Sequence, residues 1–97
     1  MATYVVLTHW TGEGAQDVEK APERVRKARE MAREMGVDFK AFYVLMGRYD
    51  GLCLLEAPND EAVAKFALSI AKKGSARTET MRAFTEDEFK GLIASLS

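Results

Sequence analysis

The stretch Val37–Ala57, VDFKAFYVLMGRYDGLCLLEA, decides the fold. Two runs rich in aromatic and aliphatic residues, Val37–Met46 and Leu52–Ala57, flank the four turn residues Gly47–Asp50 and the Gly51 that follows them. A break that short joins antiparallel neighbours, because a parallel crossover needs about a dozen residues or more. Gly47 suits a backbone conformation closed to residues with side chains, and Asp50 can accept amide hydrogen bonds within the loop. The segment therefore reads as a β-hairpin with a rigid tip.

Upstream, Thr3–Trp10 is a third strand, β-branched and aromatic, ended by Gly12 and Gly14 as turn residues. Between it and the hairpin, Val25, Ala28, Ala32 and Met35 recur at helical spacing, with Pro22 suited to the first turn and Gly36 to the position just past the end. Downstream, Asn59 caps a second helix, Asp60 and Glu61 favour the positive end of its dipole, and Val63, Phe66, Ala67, Ile70 and Ala71 form its buried face before Gly74 closes it. Ala76–Phe84 is the fourth strand. A capping box of Thr85 and Glu88, with Phe84 and Phe89 as a hydrophobic staple, then opens a C-terminal helix.

The order is βαββαβ plus a final helix, and right-handed crossovers make it an α+β, ferredoxin-like antiparallel sheet. The first and third strands lie centrally and both main helices cover one side. The second strand, with Asp38 and Lys40, and the fourth, with Arg77, Glu79 and Arg82, carry the charges that suit edges. At 97 residues, with no repeat of 20 to 50 residues, the chain reads as one domain over 1–97. A net charge of −1 argues against nucleic acid as a partner. One cysteine makes no internal disulfide, and no apolar run reaches about eighteen residues, so a cytoplasmic protein that does not enter the membrane is expected.

A one-sided sheet should alternate polar with apolar residues, and this one is apolar at both parities. Tyr4 and Val6 oppose Val5 and Leu7; Phe39, Ala41, Tyr43 and Leu45 oppose Phe42, Val44 and Met46; Leu52 and Leu54 oppose Cys53 and Leu55. Burying each large apolar side chain is worth roughly 1.5–3 kcal/mol, so leaving four or five wet would forfeit most of a small domain's stability. A second copy of the sheet, packed face to face, is the expected cover; Tyr4, Val6, Phe42, Tyr43, Met46 and Leu54 are the interface candidates. The C-terminal helix, through Phe89, Leu92, Ile93 and Leu96, is the alternative cover.

Four separated strings, TYVVLTHWTGEG at Thr3–Gly14, GRYD at Gly47–Asp50, LLEAPNDEAVAK at Leu54–Lys65 and RTETMRAFTEDEF at Arg77–Phe89, resemble the GYD-domain family over essentially the whole chain. The resemblance implies a ferredoxin-like domain of the dimeric α+β barrel kind, found mostly in bacteria as small stand-alone proteins. It attaches no reaction to the chain.

Candidate chemistry is sparse. His9 is the one histidine, near a strand end, and reads either as a hydrogen-bonded surface residue or as a general base or haem ligand. Trp10 reads as rim packing or a stacking platform, and Tyr43 as a hydroxyl in an apolar strand that needs a partner. In the turn, Asp50 reads as satisfying backbone donors or as a ligand-binding or catalytic carboxylate, and Tyr49 as held over the barrel end or out toward a neighbour, both being ligand-binding candidates; Arg77 shares a face with Glu79 as an ion pair or a carboxylate site. Cys53 reads as an inert buried thiol and Met31, Met35, Met46 and Met81 as core filler, while Glu23 and Lys27 suit a surface pair on the first helix. No metal site is expected from one histidine and one cysteine, and no cofactor is implied.

The expected function is a homo-oligomeric protein binding a small apolar or aromatic molecule between sheets, in a hollow lined by Tyr43, Met46, Phe42 and Leu54. A cofactor-independent oxygenase or isomerase, or a haem-handling enzyme, is the alternative, with His9, Tyr43 and Arg77 as its polar groups. A purely structural assembly is the third.

Overall fold

The computed structural model describes residues 1–96, and its sheet is built around β1, Ala2–Trp10. β1 pairs antiparallel with β3, Gly51–Ala57, from Ala2↔Ala57 to Thr8↔Gly51, and on its other side with β4, Ala76–Ala83, from Thr3↔Ala83 to Trp10↔Ala76. β2, Asp38–Val44, pairs with the far side of β3. The strand order β2-β3-β1-β4 and the βαββαβ succession make a ferredoxin-like sheet, with the charged strands at its edges as their sequences require.

Directly opposed residues share a face, so the register sorts the side chains. One face carries Leu55 opposite Tyr4, Cys53 opposite Val6 and Gly51 opposite Thr8, all buried. Against it pack α2, Ala21–Glu34, with Ala32 fully buried, and α3, Asp60–Lys72, with Val63 and Phe66. Tyr4 donates its hydroxyl hydrogen bond to Asp60 at the start of α3, a satisfied partner for a phenol taken out of water. Tyr4 and Val6 are therefore core residues of one chain, and their assignment to an interface between copies is corrected. Phe42, opposite Cys53, also faces the helices.

The placing of Phe42 has a physical cause in β2. Phe39 pairs with Leu55, but the next pairing is Ala41 with Leu54, so Lys40 is an inserted residue. Alternation fails there, and Phe39 and Phe42 both reach the helix side. Phe39 lies edge to face with Phe66, centroids 6.2 Å apart, and under the Arg29 guanidinium at 4.5 Å. Ala41 and Tyr43 turn outward.

Helix ends follow their local chemistry. Asn59 accepts from Ala62 N at 3.0 Å to cap α3, and Gly36 and Gly74 take positive φ beyond α2 and α3. On α2 the surface pairs run from Arg26 to Glu23 and Glu30, where Glu23 and Lys27 had been expected to pair. Where the sequence suggested only a turn, the chain folds into a short helix α1, Gly12–Gln16, and a single 3₁₀ turn over Val18–Lys20. Gly14 is needed there for closeness, since a Cβ on it would lie 1.9 Å from the Ser75 carbonyl oxygen.

The final helix, α4, Glu86–Ala94, has the capping box in full. It stands off the sheet: all its residues except half-buried Glu88 are exposed, and Phe84 and Phe89 stay 55% and 56% exposed. It covers none of the open face within its own chain. Among the described residues, no helix is long and apolar enough to cross a membrane.

Candidate functional site

The uncovered sheet face is a set of rows read straight from the register. Ala41, Leu54, Val5 and Met81 form one row across the four strands, and Tyr43, Leu52, Leu7 and Glu79 form the next. Tyr43 is 58% and Met81 45% exposed, while the aliphatic residues between them are half-buried by one another. Met81 is thus a surface residue, as is Met46, 99% exposed at the hairpin; only Met31 and Met35 pack against the core. Four strands about 4.8 Å apart and seven residues at about 3.3 Å each span a face of roughly 400 Å², of which these two rows are the largely apolar part.

One end of this face carries its polar groups. His9 pairs in register with Arg77, its Nε2 lies 3.7 Å from Glu79 Oε2, and its ring meets Tyr49 at 4.7 Å between centroids. Arg48 lies over the other ring, 5.6 Å from the Tyr49 centroid. The hairpin tip is held in place by backbone bonds: Leu45 N to Asp50 O at 2.8 Å and Asp50 N to Thr8 O at 2.9 Å, with Gly47 at φ 116°. The Asp50 carboxylate accepts from Trp10 N at 2.8 Å, so it ties the turn to the end of β1. It is a brace across two strands, where an acceptor within its own loop was expected.

The structure thus brings His9, Tyr49 and Arg77 together, keeps Tyr43 further along the same face, and sends Trp10 to the opposite side. Tyr43, Leu54, Phe42 and Met46 do not surround one hollow: the first two face outward, Phe42 faces the helices and Met46 points into solvent. Trp10 and Phe42 line a pocket between the helices and the sheet. Burial pushes the Cys53 thiol up to about 11, so it is inert as a nucleophile near neutrality. No group of three or more His, Cys, Asp or Glu side chains is placed to hold a metal ion among the described residues.

Val5, Leu7, Leu52 and Met81 were missed as members of the outer face. Glu56 was the available signal, because a charged residue at the parity of Leu52 and Leu54 marks that parity as the one away from the helices.

The fold defines the class: a two-layer ferredoxin-like domain with one covered and one open sheet face. Within that class the chain belongs to the GYD-domain family, whose model matches residues 4–93. It is 37% identical over 84 residues to the "glutamine synthetase and cystathionine beta-lyase binding protein" of Thermus thermophilus, covering 86% of this chain and 88% of the relative. The crystal structure of FFRP-DM1 matches with a TM-score of 0.62 at 26% identity, over 87% of this chain and all of that one. The hypothetical protein PHS023 from Pyrococcus horikoshii shares the fold at a TM-score of 0.53 and 24% identity, over 89% and 93% of the two chains.

Proposed function

We propose that the protein is a homodimeric binding protein that docks onto an enzyme of amino-acid nitrogen or sulfur metabolism. The observation that carries this reading is the open face, in which Val5, Leu7, Leu52, Leu54, Tyr43 and Met81 form contiguous rows with no helix over them. A second copy related by a two-fold axis offers the same rows in return and covers both at once. The stripe of Phe89, Leu92 and Ile93 on α4, all exposed, then remains for a different protein. The printed name of the Thermus thermophilus relative, a binding protein of glutamine synthetase and cystathionine β-lyase, supports the kind of partner.

Two measurements test the two halves. In analytical ultracentrifugation the wild type should sediment as a dimer and Tyr43→Glu as a folded monomer; a wild type that is monomeric at about 100 μM removes the dimer. Tyr43 is exposed in the single chain, so this substitution leaves its core intact. Calorimetric titration into the glutamine synthetase and the cystathionine β-lyase of the same organism should give saturable binding to at least one. Heat of dilution alone in both titrations ends the docking reading.

A further inference from the structure

The helix side of the sheet holds a pocket of about 260 Å³ that the docking reading does not use. Its floor is Thr8, Phe42 and Cys53, and its walls are Ala28 and Met31 of α2 and Ile70 of α3. Space exists there because the sequence places small groups at the floor and wall. Gly51 carries no Cβ, which would lie 2.6 Å from Thr8 Oγ1 and 2.9 Å from Phe42 Cε1, so the Phe42 ring can lie down against the strand. Ala28 puts only a methyl group on the wall.

Charge decides what fits. Arg24, Lys27 and Lys73 line the pocket beside these apolar residues, and no carboxylate side chain does so among the described residues. Arg24 donates to the carbonyl oxygens of Gly14 and Asp17, which fixes its position and leaves its charge unneutralised. Neither Lys27 nor Lys73 forms a salt bridge among the described residues. An apolar body with one anionic end matches this lining on both counts, while the ammonium of a free amino acid would meet three cations and no carboxylate in the lining, the nearest charge partner of Lys27 being Glu23 outside it.

We propose that this pocket binds a small carboxylic acid with an aromatic or branched apolar body, seated on Phe42, Ala28 and Met31, with its carboxylate held by Lys27 and Lys73. The volume suits about ten non-hydrogen atoms, below the drug-sized range. The site lies on the opposite face from the proposed dimer contact and stands independently of it.

Trp10, the single tryptophan, lines the same pocket and reports on it by fluorescence. The dimeric or monomeric wild type is titrated with 3-phenylpropanoate and 4-methylpentanoate, and with 3-phenylpropanamide and L-phenylalanine as comparators. The acids should give a saturable change at least tenfold tighter than the amide and the amino acid. The double variant Lys27→Gln, Lys73→Gln should bring 3-phenylpropanoate down to the level of its amide. Filling the space with Ala28→Leu, or from the floor with Cys53→Leu, should abolish the response in protein that keeps its circular dichroism spectrum. No saturable change with either acid up to about 10 mM, equal affinity for acid and amide, or undiminished binding in a folded pocket-filling variant overturns the proposal.

Discussion

The backbone N–H of Trp10 donates to Oδ2 of Asp50 at 2.8 Å, so the last residue of β1 is held by the last residue of the turn between β2 and β3. The same Asp50 closes the turn through its own carbonyl and reaches β1 again through its N–H to Thr8 O. Two bonds from one residue therefore register the hairpin against the central strand, and a third closes the turn itself.

Replacing Asp50 by Ala removes a charged acceptor and strands a partly buried donor, at a cost of about 1–3 kcal/mol. Asp50→Asn keeps an acceptor oxygen and should lose less. Urea unfolding midpoints for the three proteins check this order, with the Ala variant lowest.

Gly14 and Gly12 offer a matched pair. A Cβ at Gly14 would run into the Ser75 carbonyl, the same oxygen that accepts from Thr11 N at 3.1 Å, whereas a Cβ at Gly12 meets nothing within 4 Å. Gly14→Ala should destabilise the protein by about 2–3 kcal/mol as α1 is pushed off the entry to β4. Gly12→Ala should leave the thermal midpoint unchanged or slightly raised, by the helical preference of alanine.

Cys53 gives a pH dependence of definite sign. Its thiol is pushed up to about 11 by burial, from an ordinary 9.0, with the Arg29 charge opposing weakly. Between those values the folded state holds a proton that the unfolded state has released, so stability is full below about pH 9 and falls as pH rises towards 11, by about 2–3 kcal/mol. Stability measured by denaturant at pH 8 and pH 11 should fall less in Cys53→Ala than in the wild type.

The hairpin, the strand order, the central and edge assignments and the N-caps of α3 and α4 were legible, the caps because each depends on a few adjacent residues, Thr85 with Glu88 and Asn59 ahead of Asp60. The faces of the sheet were not. β1 and β3 are apolar at both parities, so neither strand alone tells which side meets the helices, and the interface candidates Tyr4, Val6 and Phe42 fell on the wrong one. The helix α1 escaped notice because two of its five residues are glycines, and only the Thr11 hydroxyl accepting from Gly14 N marks its start. The grouping of His9 with Tyr49 needed the three-dimensional return of the hairpin over the end of β1, a long-range relation with no local pattern.

Because Lys40 is the surplus residue of an edge strand, the side chains beyond it sit half a pleat out of phase with those before it. Shortening the strand by this one position would leave Ala41, Phe42 and Tyr43 opposite the same partners on β3, so each keeps its side of the sheet and only the kink is lost. A one-residue gap here is therefore the change of length this strand absorbs most readily, whereas a gap just after Phe42 would turn the residues up to the hairpin over to the other side.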